Sequence, residues 1–144
     1  MQNLVAKALA VHQAIYERSH GWIGHRLVFG MPTLLLHSVG RKTGKPRIAA
    51  LTYGRDGDRY LVTASNGGSP RPPGWLANLA AHPDCEIQIG RSHRLVRARK
   101  VLPKDDEYER YWDIVNHLNR GQYREYQKRT RREIAIIELT PRNY

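Results

Sequence analysis

The sequence predicts an α+β domain: a mostly antiparallel barrel or sheet with helices at its periphery. Two observations lead there. About six strand-like segments stand beside three or four helical ones, and hairpin turns link the strands where a parallel sheet would alternate them with helices. The Gly-x-Gly-x-x-Gly fingerprint of a dinucleotide-binding parallel sheet is absent. The 144 residues suit one domain with one core, and no repeat, linker or low-complexity stretch divides them.

Taken in order, the chain opens with Leu4, Ala8, Val11 and Ile15 at helical spacing. An amphipathic helix is expected within residues 1–21, with Gly21 as its stop. It would pack on the core or lie on a membrane surface or a substrate mouth. Thr33 to Val39 reads as a buried strand, and Gly40 to Arg47 as a glycine-punctuated basic turn. Ile48 to Tyr53 resumes as a strand, Asp56-Gly57 signals a hairpin, and Tyr60 to Ala64 follows as its second arm. Ser65 to Gly74 is rich in glycine and proline and is expected to be a loop. Trp75 to Ala81 has short helical character. Cys85 to Ile89 and Leu95 to Leu102 form a strand pair. Asp105 to Leu118 is an expected helix, capped by Asp105 or Asp106 and closed by Gly121. A short helix over Gln122 to Lys128 and a strand over Ile134 to Leu139 complete the set.

Charge is the first functional clue. Lys and Arg number 24 against 13 Asp and Glu, a formal net charge of +11. Such an excess draws nucleic acid, an acidic membrane surface or a phosphorylated small molecule. The single cysteine, Cys85, forbids an intrachain disulfide and fits a reducing, cytoplasmic compartment. The first residues lack the pattern of a secretory signal, and no stretch reaches the roughly 18 apolar residues of a membrane span.

Several chemistries fall away. The seven histidines include no His-Glu-x-x-His and no Cys/His cluster, so no metal site is expected. No Gly-x-Ser-x-Gly elbow is present. Cys85 reads as a small core residue and His37 as a satisfied core histidine. Gly40 to Pro46 is one residue short of a P-loop and places Pro46 where the metal-binding hydroxyl belongs. That turn is still the best anion site in the chain. Arg41, Lys42, Lys45 and Arg47 are four cations in a short span, and Gly40 and Gly44 let a ligand approach the backbone. Taken alone, it reads equally well as a hairpin kept soluble by its charge. Ser65-Asn66-Gly67-Gly68 follows a strand, where a loop can wrap a planar ring or simply be an ordinary loop. Trp75 and Asn78 share a helix face, as do Tyr123 and Tyr126, two phenols that either pack or line a pocket.

Together these pieces resemble the deazaflavin-dependent nitroreductase family, which uses coenzyme F420. The matching signature runs Val39-Gly40-Arg41-Lys42-Thr43-Gly44-x-Pro46-Arg47, Ala64-Ser65-x-Gly67-Gly68, Pro73-x-Trp75-x-x-Asn78-Leu79-x-Ala81-x-Pro83 and Tyr123-x-x-Tyr126. The resemblance spans roughly residues 33 to 139 and implies a split β-barrel like that of FMN-binding proteins. It implies that Arg41, Lys42 and Arg47 hold the cofactor's phosphate and oligoglutamate tail. Ala64, Ser65, Asn66 and Gly67 are the expected contacts of the ring or its side chain, Trp75 and Asn78 would support the pocket, and Tyr123 and Tyr126 would lie near the deazaflavin and the substrate. Asn66 stands where some relatives carry lysine, Ala50 where some carry proline, and Arg120 where a further tyrosine occurs in the nitroimidazole-reducing branch.

The implied reaction is hydride transfer from reduced F420 to a quinone, a nitro compound or an activated double bond, with Tyr126 or Tyr123 as proton donor or orienting group and solvent as the alternative. A basic surface and an amphipathic N-terminal helix would suit a visit to a membrane quinone. The rivals are an FMN-binding split-barrel enzyme, a non-catalytic cofactor carrier, and a nucleic-acid or other polyanion-binding module. The last rests on Arg91, His93, Arg97 and Arg99 along one strand face, without a recognised nucleic-acid motif. A homodimer is compatible with the sequence.

Overall fold

The structure, a computed structural model, describes residues 31–142; the helix expected within residues 1–21 lies outside them. Seven strands form one antiparallel sheet: β1 (Thr33–Val39), β2 (Pro46–Thr52), β3 (Gly54–Asp56), β4 (Arg59–Thr63), β5 (Asp84–Ile89), β6 (Ser92–Val101) and β7 (Ile136–Pro141). Three helices are described: α1 (Gly74–Ala81), α2 (Tyr108–Leu118) and α3 (Gln122–Lys128).

The sheet order is β2-β1-β5-β6-β7-β4-β3. Only Tyr53 separates β2 from β3 in the chain, yet these strands are the two edges. The sheet must therefore curl until its edges meet, which makes it the half-barrel of a split β-barrel. The expected hairpin of Ile48–Tyr53 with Tyr60–Ala64 is corrected here. β2 pairs along its full length with β1, from Thr33 opposite Thr52 to Val39 opposite Pro46. The Asp56-Gly57 turn instead joins β4 to the three-residue β3.

Alternation along the strands divides the core in two. Leu34, Leu36, Val62, Ile87, Val96, Ile137 and Leu139 fill the inner side, with Leu79 of α1 and part of Trp75 packed against them. Leu61, Val101 and Ile136 belong to a second cluster with Tyr108, Tyr111, Val115 and Tyr123 of α2 and α3. Cys85 belongs to the inner cluster, and burial pushes its thiol up to about 12. It is an inert core residue, as expected.

Three local expectations change. First, α2 begins at Tyr108, and no side chain caps it. The Asp105 carboxylate accepts from the Leu102 N–H at 2.8 Å and so builds the preceding turn. Second, Nε2 of His37 is buried without a hydrogen-bond partner among the described residues, so this histidine is not satisfied. Third, three side chains of the β6 face meet carboxylates of this chain: Arg97 pairs with Asp84, Arg99 with Glu107 and the buried Glu138, and the His93 ring lies 3.3 Å from Glu86. Two of the arginines on which the polyanion reading rested, Arg97 and Arg99, thus have carboxylate partners within the chain.

Candidate active site

The turn between β1 and β2 is built by short local bonds. The Gly40 N–H donates to the Lys45 carbonyl and the Gly44 N–H to the Gly40 carbonyl, each at 2.8 Å. Gly40 is needed for space, since a Cβ there would lie 2.9 Å from the Thr43 hydroxyl. Asn78, buried on α1, anchors the turn from outside: its Oδ1 accepts from the Arg41 N–H at 3.1 Å. Arg41, Lys42, Lys45 and Arg47 are exposed, and no carboxylate among the described residues pairs with them. Arg41, Lys42 and Arg47 line a cavity of about 410 Å³ whose far wall is Trp75 and Asn78.

A second cavity, of about 370 Å³, lies on the other side of Trp75. Its lining includes Thr63, Ser65, Asn66, Gly67, Tyr123 and Tyr126. Both cavities run along β2, the first past Ile48 and Ala49 and the second past Ala50 to Thr52. Trp75 is a wall of each, so a cavity lined by cations and a cavity lined by aromatic rings lie next to one another.

The Gly-rich loop takes a left-handed backbone and is held by contacts from far along the chain. Asn66, Gly67 and Gly68 have φ of 44°, 64° and 82°. A Cβ on Gly68 would sit 2.8 Å from the Tyr126 carbonyl, so α3 and the loop touch backbone to backbone. Arg132 grips the loop from behind: Nη1 donates to the Ala64 carbonyl at 2.9 Å, and Nη2 to the Ser65 and Ser69 carbonyls at 3.0 Å. Burial lowers the Arg132 pKa from its ordinary value. The Asn66 amide donates to the Arg71 carbonyl at 2.9 Å and so braces its own loop.

Two buried polar atoms in the aromatic cavity, Thr63 Oγ1 and Asn119 Oδ1, lack a hydrogen bond of regular geometry among the described residues. Such atoms carry a desolvation penalty that a polar ligand edge relieves. Tyr123 is buried there and stacks edge-on with Tyr126, ring centres 6.3 Å apart. Burial pushes the Tyr123 phenol up; nearby Thr63 tempers the rise without forming a regular bond. A neutral phenol at neutral pH follows.

The structure thus brings Arg41, Lys42, Arg47, Trp75 and Asn78 to one cavity and Ser65, Asn66, Gly67, Tyr123 and Tyr126 to the next. Ala64 lines neither: it is fully buried, its N–H donating to Ala135 and its carbonyl held by Arg132. Thr63 and Asn119 line the aromatic cavity and Arg132 holds its loop, and the sequence singles out none of the three. Arg132 carries no local signal, since it stands among Arg129 and Arg131 as one more basic residue. The donor set fits a deazaflavin cofactor: cations for an acidic tail, and an aromatic cavity with the Ser65 to Gly67 loop for a planar ring.

Comparison with known proteins bears on this geometry. The sequence profile of the family described as F420H(2)-dependent quinone reductase matches residues 8–141. An F420H(2)-dependent quinone reductase of Mycobacterium tuberculosis is 51% identical over 134 residues, which are 93% of this chain and 90% of that one. A solved F420-H2 dependent reductase superposes with a TM-score of 0.67 at 30% identity, covering 75% of this chain and 93% of the other. Another protein, solved as a domain-swapped dimer, superposes with a TM-score of 0.68 at 26% identity, covering 88% of this chain and 97% of the other. The chain belongs to the F420H(2)-dependent quinone reductase family.

Proposed function

We propose that this protein reduces a quinone with F420H2, the acidic tail of the cofactor lying along Arg41, Lys42 and Arg47 and its ring in the cavity of Ser65, Gly67, Tyr123 and Tyr126. The observation that carries this reading is the pair of cavities itself: one lined by three cations and one lined by Tyr123 and Tyr126 share Trp75 as a wall.

Bound F420H2 supplies a hydride from a ring carbon, two electrons in one transfer. The chain's own residues do the rest. The three cations of the basic turn attract and orient the acidic tail, with Arg offering planar forks and Lys a point charge. Ser65 and Gly67 present a loop whose backbone approaches a planar ring without a side chain in the way. Trp75 borders both cavities and offers an indole face to the bound cofactor. A quinone that gains a hydride must also gain a proton to become a hydroquinone. Tyr126, half-buried beside the deeper Tyr123, holds a phenolic proton at the cavity mouth and is the assigned donor.

The net charge of +11 draws the protein to an anionic membrane surface, where lipophilic quinones reside. No helix among the described residues is long and apolar enough to cross a membrane.

A fluorescence titration with oxidised F420, beside FMN at equal salt, tests the cofactor. Saturable F420 binding with little FMN binding is the expected result; the reverse moves the protein to the flavin branch of the fold. Tyr126→Phe tests the proton donor. Turnover with quinone should fall by about a hundredfold while F420 affinity holds; unchanged turnover would hand the proton to solvent.

A further inference from the structure

We propose that a groove beside the aromatic cavity binds the hydrocarbon tail of the acceptor quinone; the proposal rests on the quinone reading above and extends it. The groove measures about 780 Å³ and lies between β3 and α2. Its lining includes half-buried Pro32, Tyr53, Ile114 and Leu118, with exposed Arg55, Asp113 and His117 at the edge.

Chain continuity joins it to the aromatic cavity at three places. Met31, Thr52 and Asn119 line the cavity, while their covalent neighbours Pro32, Tyr53 and Leu118 line the groove. Adjacent residues are about 3.8 Å apart at Cα, so the two spaces share a border of residues. The Tyr53 N–H donates to the Pro32 carbonyl at 3.1 Å and ties two of these segments together.

The groove wall is firm and apolar. Gly54 lets α2 rest directly on β3, since an added Cβ would meet Ile114 Cγ2 at 2.9 Å and Leu118 Cδ1 at 3.3 Å. Two charged groups at the edge already have partners. Arg55 donates to the Gly57 carbonyl at 3.0 Å and lies over the Tyr60 ring, and Asp113 pairs with Arg124 at 2.6 Å. Neither is a free hook for a polar ligand, which leaves the apolar side chains of Pro32, Tyr53, Ile114 and Leu118 as the main contact surface, with the His117 imidazole as the remaining polar group. A cavity of about 370 Å³ that receives a ring and a quinone head has little room for a long tail, and the adjoining groove supplies it.

Two measurements test this. In the first, methyl NMR follows Ile114 and Leu118 as farnesol, a tail without a quinone head, is added to the F420-loaded protein. Saturable shifts at these two methyl sets are expected. In the second, wild type and Leu118→Gln reduce a naphthoquinone with no tail and the same head carrying an isoprenoid tail. The variant should lose about tenfold in kcat/KM for the tailed quinone and stay within about twofold for the tail-less one. Equal losses on both quinones, or no loss on either with no methyl shifts, overturn the proposal. Failure of wild type to reduce either quinone sinks the quinone reading and this one together. Brisk reduction of the tail-less quinone beside an unresponsive groove sinks this one alone.

Discussion

The turn from Gly40 to Arg47 and the loop from Ser65 to Gly68 border neighbouring cavities, and both are punctuated by glycine. They are held in different ways. The turn closes on itself through bonds between Gly40, Gly44 and Lys45, and its message lies in exposed cations. The loop takes its form from elsewhere: the Arg132 guanidinium holds three carbonyls around it, and Tyr126 comes so near that only glycine fits at position 68. The first region is a charge on a self-made scaffold. The second is a shape imposed by a distant part of the chain.

The largest effect expected from this contrast concerns the turn. Arg41→Ala with Lys42→Ala should weaken F420 binding by about a hundredfold or more, since each charge-assisted bond contributes about 1.5–3 kcal/mol. The melting temperature should hardly move, because neither side chain has an ion pair to lose among the described residues. Wild-type affinity should decline with added salt, and that decline should flatten in the double variant. Full affinity in the folded double variant would place the acidic tail elsewhere.

A smaller effect is expected behind the loop. Arg132→Ala should weaken F420 binding by about tenfold, through a loop that no longer keeps its form. Its salt dependence should match that of wild type, as Arg132 acts on carbonyls and not on the ligand's charge. Arg132→Lys should recover part of the loss, for one ammonium cannot replace a planar fork across three carbonyls. If Arg132→Ala flattens the salt dependence as the turn variant does, the contrast between the regions fails.

Gly68→Ala should lower stability by about 1–3 kcal/mol in urea unfolding, because φ of 82° and the Tyr126 carbonyl both oppose a Cβ. Unchanged stability would mean that the loop backs away at no cost. The last effect vanishes at neutral pH. Burial pushes Tyr108 and Cys85 up to about 12 from 10.0 and 9.0. At alkaline pH the unfolded chain therefore ionises first and binds fewer protons than the folded one. Stability should be fully present below the ordinary values and fall as pH climbs from about 9 toward 12. Thermal melts across that range check the sign, and a rise in stability would contradict the burial of both groups.

Much of the fold is legible in the sequence, for reasons tied to particular residues. Thr33 to Val39 reads as a strand because its leucines are buried on both faces, and Gly121 marks the break between α2 and α3, where it follows the left-handed Arg120 and takes φ of 81° itself. The arms of the Asp56-Gly57 hairpin are not legible in the same way. The dipeptide marks a turn correctly, but a turn does not say how long its arms are, and β1 takes all of β2. Nor does the mid-strand position of His37 say what faces its ring, which is why a satisfied histidine is the natural but wrong expectation.

By itself, the sequence determined the strand and turn periods, the excess of positive charge and the cluster of cations near Gly40. These depend on neighbours along the chain, whose chemistry is visible in order. Tertiary structure alone decided that β2 and β3 become opposite edges of a curled sheet, that Trp75 stands between two cavities, and that Arg132 serves a loop 67 residues away. Such facts arise from closure of the sheet, which brings together segments whose separation in sequence carries no record of their contact.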